Sequence, residues 1–367
     1  CDILIECRIS IQLKMIKKKC FKIKYIREKS QEIKTDPILI ERAIYAFELL
    51  ALLVKSNLPL VFKGGTSLML LVPRFNRLSI DLDIVTEAED RTMKNTFTSI
   101  TEGGLFKRWE EDTRSSDLEV PKSHFKFYYD SPITGKELYV LVDIIQSKPD
   151  FPSIVKKPIL HPIFEVEEET EVSVPSINCI AGDKLTAFAP KTIGILFGKE
   201  KSMEIIKQLF DLGILFELIS DLKEVHDSYL NISKLESQYR NLDVPIEAFF
   251  DDSIKTSLLL CQSGFKGCVE NDETKELKNG IMRIKSHILG GKYSLLQAKV
   301  DASKVACLSS LMRDGRLDVD IEEIRRNRKN LDKIANVNLI STFSILIKLK
   351  KISPESFYLW AVALKMI

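Results

Sequence analysis

Asp81 and Asp83 stand in an otherwise apolar run, Leu78-Ser79-Ile80-Asp81-Leu82-Asp83-Ile84-Val85, which reads as a strand. Side chains alternate faces along a strand, so carboxylates at i and i+2 point the same way. Upstream lies Lys63-Gly64-Gly65-Thr66-Ser67-Leu68, where a short strand, Leu60 to Phe62, turns through two glycines into a helix. Glycine allows the sharp turn and lets a phosphate approach the backbone. A helix start offers unpaired N–H groups and the positive end of the helix dipole, and the Thr66 and Ser67 hydroxyls can add donors. Acids on a buried strand cost on the order of several kcal/mol unless they are paired or bind a metal. Two converging carboxylates beside a phosphate-binding turn can hold Mg²⁺ and a nucleoside triphosphate, the equipment of nucleotidyl transfer. Taken alone, the glycines read more simply as a plain turn, and the acids as a solvated face neutralised by Arg77. Together they favour the metal.

Three further residues belong to this reading. Asp143 is the single charge in the apolar strand Tyr139 to Ile145. A neighbouring strand can bring it beside Asp81 and Asp83, as a third metal ligand or as the base that activates a hydroxyl. The plainer alternative is a strand-end acid in solvent. Lys184 falls within an apolar helical stripe of Ile177, Ile180, Ala181 and Phe188. It either snorkels to the surface or meets an anion such as a triphosphate. Asp211, on the apolar helix segment Lys207-Gln208-Leu209-Phe210-Asp211-Leu212, either pairs with Lys207 one turn away or orients Lys184. Weaker candidates are the basic cluster Arg325, Arg326, Arg328 and Lys329, which is a solvated helix face or an RNA-backbone contact, and Gly290-Gly291-Lys292, half of a phosphate loop. His124, His161, His226 and His287 are scattered and suggest no zinc site.

The 367 residues allow two domains, and 45% hydrophobic with 29% charged residues fits a globular chain. A net charge of only +2 means that nucleic acid must be held by a local patch. Seven cysteines without a C-x-x-C pair point to a reducing, cytoplasmic setting, with Cys261–Cys268 a remote disulfide possibility. No apolar run is long enough to span a membrane. Residues 1–14 fit poorly with the rest of the chain and read as upstream or cloning-derived sequence, no secretory core is visible, and Met15 opens a lysine-rich segment.

The elements that must position these residues form an α+β arrangement followed by helices. Asp36-Pro37 caps an amphipathic helix reaching about residue 56. Phe125–Tyr129 and Leu138–Ile145 read as strands joined by a turn at Pro132–Gly135, and 165–174 as a further strand. Beyond Pro175 helical periodicity dominates, with segments near 177–189, 201–219, 229–239, 252–261, 270–287, 293–312, 320–334, 337–348 and 354–365. The organisation is a basic N-terminal segment, 1–35, an α+β domain with a mixed sheet, 36–175, and a helical domain, 176–367.

Phe62-Lys63-Gly64-Gly65-Thr66-Ser67-Leu68 followed by Arg77-x-Ser79-x-Asp81-x-Asp83 resembles the AbiEii/AbiGii toxin family of the DNA polymerase β-like nucleotidyltransferases. Asp183-Lys184-Leu185 and Lys207 to Leu212 resemble the family's downstream motifs, with Gln208 in place of the usual acid. The resemblance covers about residues 36–220. It implies a polymerase-β-like fold, NMP transfer from an NTP, a type IV toxin–antitoxin role with a genetically linked antitoxin, and a tRNA 3′ end as acceptor. It also implies that Lys63 to Ser67 with Ser79 bind the nucleotide, that Asp81 and Asp83 bind Mg²⁺, that Lys184 grips the triphosphate and that Asp211 completes the site. Asp143 as general base, and two ions in all, follow from the strand argument. The competing expectations are nucleotidylation of a small molecule such as an aminoglycoside, and a catalytically inactive nucleotide- or RNA-binding protein.

Overall fold

The computed structural model describes residues 15–73, 76–112, 122–268, 270–339 and 341–367. The chain forms two compact units. One holds the described residues up to Pro149, with Ile154–Pro175 and Ser286–Gly291; the other holds Asp150–Ser153, Ser176–Lys285 and Lys292–Ile367.

In the first unit, helices α1 (Ile23–Ile33) and α2 (Pro37–Lys55) precede a five-stranded mixed sheet. Asp36 caps α2 by accepting from the Ile38 N–H at 2.8 Å, with Pro37 in the first turn, as the local sequence dictates. The sheet contains β1 (Val61–Lys63), β2 (Leu82–Thr86), β3 (Arg108–Glu111), β4 (Lys122–Asp130) and β5 (Glu137–Gln146) in the order β1-β2-β5-β4-β3. Only β2 and β5 run parallel; the other pairs are antiparallel. Helix α3 (Gly64–Leu71) follows β1 directly, and α4 (Asp90–Glu102) lies between β2 and β3. Phe125, Phe127 and Tyr129 alternate into the core from β4, as do Val140, Val142 and Ile144 from β5. Tyr45 of α2 stacks on Tyr129 at 3.6 Å, and Phe97 of α4 meets Phe125 and Phe127 edge-on. Helices thus seal one face of the sheet. The other face carries the polar set Lys122, His124 and Asp143.

A small antiparallel pair, β6 (Ile154–Pro158) and β7 (Glu171–Pro175), completes the strands. The strand expected over 165–174 is therefore confined to its last residues; around Val166 there is only an isolated bridge to Ile16. Here Glu48, fully buried in α2, accepts the backbone N–H groups of Met15 and Ile16 at 3.2 and 2.8 Å. The Ser286–Gly291 segment returns to this unit through the Arg77–Ile288 bridge and the Leu78 N–H to His287 carbonyl bond at 3.0 Å.

The second unit is helical: α5 (Ile177–Ala187), α6 (Ser202–Leu215), α7 (Leu222–Tyr239), α8 (Glu247–Gln262), α9 (Asp272–Ile284), α10 (Leu295–Arg313), α11 (Ile321–Asn327), α12 (Leu349–Ile352) and α13 (Pro354–Ala363). Gly182 lets α5 sit on α7, because a Cβ there would lie 2.6 Å from the Val225 carbonyl oxygen. The helix expected at 337–348 is 3-10 from Ser341 to Lys348. Cys20, Cys179, Cys261, Cys268 and Cys307 are free thiols, so Cys261 and Cys268 do not pair. Among the described residues no helix is long and apolar enough to cross a membrane.

Candidate active site

Four polar residues line up across four strands of the first unit. Lys63 is in register with Asp83, Asp83 with Asp143, and Asp143 with His124. Residues in register on neighbouring strands share a face about 5 Å apart, so these side chains form one row on the face not covered by α2 and α4. The row exists because β2 and β5 are adjacent and parallel, a pairing between segments far apart in sequence.

The glycine turn abuts this row. Gly64 has φ +77°, and a Cβ on it would fall 2.0 Å from Asp83 Oδ2. The missing side chain is thus the space that the Asp83 carboxylate occupies. A Cβ on Gly65 would come within 2.7 Å of Arg77 Nη2 and 3.0 Å of Ser79 Oγ, which places Ser79 against the turn. Thr66 and Ser67 differ from the sequence expectation. Both are fully buried; the Thr66 hydroxyl donates to the Asp81 carbonyl at 2.6 Å and the Ser67 hydroxyl to the Gly64 carbonyl at 2.9 Å. They brace the turn, and what the α3 start presents to a phosphate is its backbone N–H groups.

Asp81 also departs from expectation. The strand begins at Leu82, so Asp81 sits one residue before it, its carbonyl held by Thr66. Its charge nonetheless reaches Asp83. Burial pushes the Asp83 carboxyl up to about 6; Asp143 and Asp81 push the same way, while Lys122 and Lys63 pull it down. Burial and the neighbouring acids make the charged form of Asp83 costly, and a cation there would relieve that cost. Among the described residues no three His, Cys, Asp or Glu side chains are grouped to hold a metal by themselves. Mg²⁺ needs no such cage, since it takes one or two carboxylates and completes its shell with water and phosphate oxygens. Asp83 and Asp81 are the residues that would meet that demand.

Asp143 lies beside Asp83, but its role changes. Oδ1 is 2.6 Å from His124 Nδ1, and Oδ2 is 2.6 Å from Lys122 Nζ. Burial works to raise its pKa, yet Lys122 and then His124 outweigh burial and hold the carboxyl below the usual range. A carboxylate so stabilised in its charged form is a weak proton acceptor, which argues against the general-base expectation. His124 and Lys122 are the residues that sequence reasoning missed. The local signal was a lysine and a histidine alternating with core aromatics in β4, but only the β4–β5 register reveals their target.

In the second unit, Lys184 Nζ lies 2.9 Å from Asp211 Oδ2, with both side chains buried. Lys184 therefore meets an anion and does not snorkel, and Asp211 is the acid that orients it. The basic cluster in and just after α11 divides, two of its residues turning inward and two staying exposed. Arg325 is buried against the end of α6, donating to the Phe216 carbonyl at 2.7 Å and the Ile219 carbonyl at 2.5 Å. Arg328 bridges Glu217 and Glu355 at 2.5 and 3.2 Å. Arg326 is exposed and pairs with Asp320, and Lys329 is exposed. The helical period that grouped these residues could not say which of them turn inward. Gly290 and Gly291, both at positive φ, belong to the returning segment of the first unit and do not open a helix.

A mixed sheet has one helix-covered face, Asp83 and Asp143 in register on the other, and a glycine turn leading into a helix beside them. The chain matches the family described as "Nucleotidyl transferase AbiEii toxin, Type IV TA system" over residues 49–270, more than half its length, and belongs to that family. It is thus a nucleotidyltransferase of a toxin–antitoxin family, with a nucleotide substrate and an antitoxin partner implied by membership. Among solved structures, JHP933 from Helicobacter pylori shares 14% identity, with 80% of this chain and 98% of that chain covered and a TM-score of 0.41. An antigenic nucleotidyltransferase-like protein from Paracoccidioides brasiliensis shares 15% identity, with 57% and 97% covered and a TM-score of 0.36. At these values neither likeness bears on the site. No curated protein matches the chain.

Proposed function

We propose that this protein transfers NMP from an NTP to an acceptor hydroxyl in an Mg²⁺-dependent reaction, with the 3′ end of tRNA as acceptor. The observation that carries the reading is the Lys63–Asp83–Asp143–His124 row set against the Gly64-Gly65 turn. Bound at Asp83 and Asp81, Mg²⁺ would neutralise triphosphate charge and polarise the phosphoryl oxygens. The backbone N–H groups at the start of α3 receive phosphate oxygens, and Lys63 adds positive charge beside them. The acceptor oxygen forms a bond to the α-phosphorus, the bond from that phosphorus to the bridging oxygen breaks in line, pyrophosphate leaves and the hydroxyl proton passes to water. The buried Lys184–Asp211 pair supports the reading through its match to the family's downstream motif.

The test is incubation of the full chain with each labelled NTP, Mg²⁺ and total RNA. Label in tRNA-sized RNA, abolished by EDTA, is the expected result. Label confined to a small molecule would transfer the acceptor assignment to that class, and absence of label with every NTP would remove the transferase reading for this chain.

A further inference from the structure

Two-metal phosphoryl transfer places one ion with the triphosphate and a second between carboxylates at the attacking hydroxyl, where a third acid completes the ligand set. Asp143 is the residue whose strand position suits that third acid. In this structure a lysine already serves it. Lys122 opens β4, two residues before His124 on the same face of the strand, and its ammonium lies 2.6 Å from Asp143 Oδ2. His124 Nδ1 takes Oδ1 at the same distance. Both oxygens of Asp143 are thus engaged by side-chain nitrogens, an ion pair from Lys122 and a hydrogen bond with His124, and among the described residues both contacts go to Asp143, the acid in register with Asp83.

We propose that Lys122 occupies the place of the second metal ion, so that this site works with a single divalent cation, held at Asp83 and Asp81, and a built-in ammonium at Asp143. This rests on the nucleotidyl-transfer reading and narrows its metal requirement from two ions to one. The physical case is one of charge and position. An ammonium carries one positive charge where a divalent ion carries two, and it is a compact point donor that can bridge carboxylate and phosphate oxygens. Lys122 is also the foremost charge offsetting the burial of Asp83, so its field covers both acids. With Lys122 paired to Asp143 a divalent ion there would sit against a positive charge, and like charges at that range repel. The alternative is an ordinary surface ion pair, for the Lys122 side chain is one-third exposed. That alternative gives Lys122 no influence on metal stoichiometry, and this separates the two.

The experiment counts metal. The full chain, saturated with a non-hydrolysable NTP analogue, is titrated with Mn²⁺, and bound ion is read from the loss of the free Mn²⁺ paramagnetic resonance signal, with the analogue alone as control. One Mn²⁺ per bound analogue is expected for the wild type and for Lys122→Arg, and two for Lys122→Ala, in which Asp143 Oδ2 is released. Circular dichroism checks that each variant is folded. Two ions in the wild type, or one in both the wild type and Lys122→Ala, would overturn the proposal. Failure of the analogue to bind at any Mn²⁺ concentration would instead strike at the nucleotidyl-transfer reading, leaving no second-ion position to replace.

Discussion

Asp83 is the residue on which geometry and electrostatics converge. Its carboxyl is pushed up to about 6, against about 3.9 for an unperturbed aspartate. Between those values the folded protein holds more protons than the unfolded chain, so stability at this position rises as pH falls from 6 toward 4 and is lowest above 6. Asp83→Asn should therefore raise the melting temperature at pH 7.5, with the gain fading by pH 4, where the wild-type residue is already neutral. Thermal melts across pH 4–8 would read this, and an equal shift at every pH would mean that charge is not the cause. The same variant should lose transfer by roughly 10³-fold, the factor that several kcal/mol of lost metal binding represents. Gly64→Ala tests the neighbouring contact. Its Cβ would enter the space of the Asp83 carboxylate, and φ +77° is strained for alanine. Loss of activity together with about 1–2 kcal/mol of stability is expected, whereas a fully active variant would show that the close approach has no consequence.

At the scale of elements, what matters is which helix or strand a charge is tied to. Arg325 secures α11 to the end of α6 through two carbonyls, so Arg325→Ala should cost roughly 2–3 kcal/mol. RNA affinity and its salt dependence should not change; a drop in affinity without a drop in stability would restore the nucleic-acid reading of this cluster. The buried Lys184–Asp211 pair ties α5 to α6. Removing one partner strands the other charge, at roughly 3–5 kcal/mol. Lys184→Ala and Asp211→Ala should each lower the unfolding free energy read from denaturant melts by that amount, and the double variant should cost clearly less than their sum. Additive losses would mean that the pair is not coupled. The capped start of α2, the turn before α3 and the β4–β5 hairpin were all legible in sequence, because capping residues, glycines and period-two patterns act over a few residues. The strand carrying Asp83 starts four residues later than its apolar pattern, at Leu82 and not at Leu78. Apolar alternation continues through Leu78 and Ile80, but β2 acquires its ladder partners only from Leu82 onward.

For the molecule as a whole, the balance of charge limits how it can hold RNA. Net charge is +2, and two of the four basic residues that suggested a nucleic-acid surface, Arg325 and Arg328, turn inward onto carbonyls and Glu217. Each phosphate contact adds close to one unit to the slope of log affinity against log salt. A shallow slope, no steeper than about −3 between 50 and 200 mM salt, is expected for tRNA binding by the full chain. Filter binding would measure it, and a steep slope would reveal an extensive basic surface.

The sequence by itself determined the class of this protein: a glycine turn, an Asp-x-Asp run and two downstream motifs sufficed to place it among the AbiEii nucleotidyltransferases. It also determined the change from a mixed sheet to helices, since hydrophobic periods of two and 3.6 residues are properties of short windows. Tertiary structure alone decided what each charge does. Asp143 and Asp83 meet because two distant segments pair in parallel, Lys122 and His124 reach Asp143 through a hairpin register, and Arg325 turns inward because the end of α6 offers it carbonyls. Side-chain charge is written in the chain, but its partner is fixed by contacts between residues far apart in sequence, and no local pattern encodes those distances.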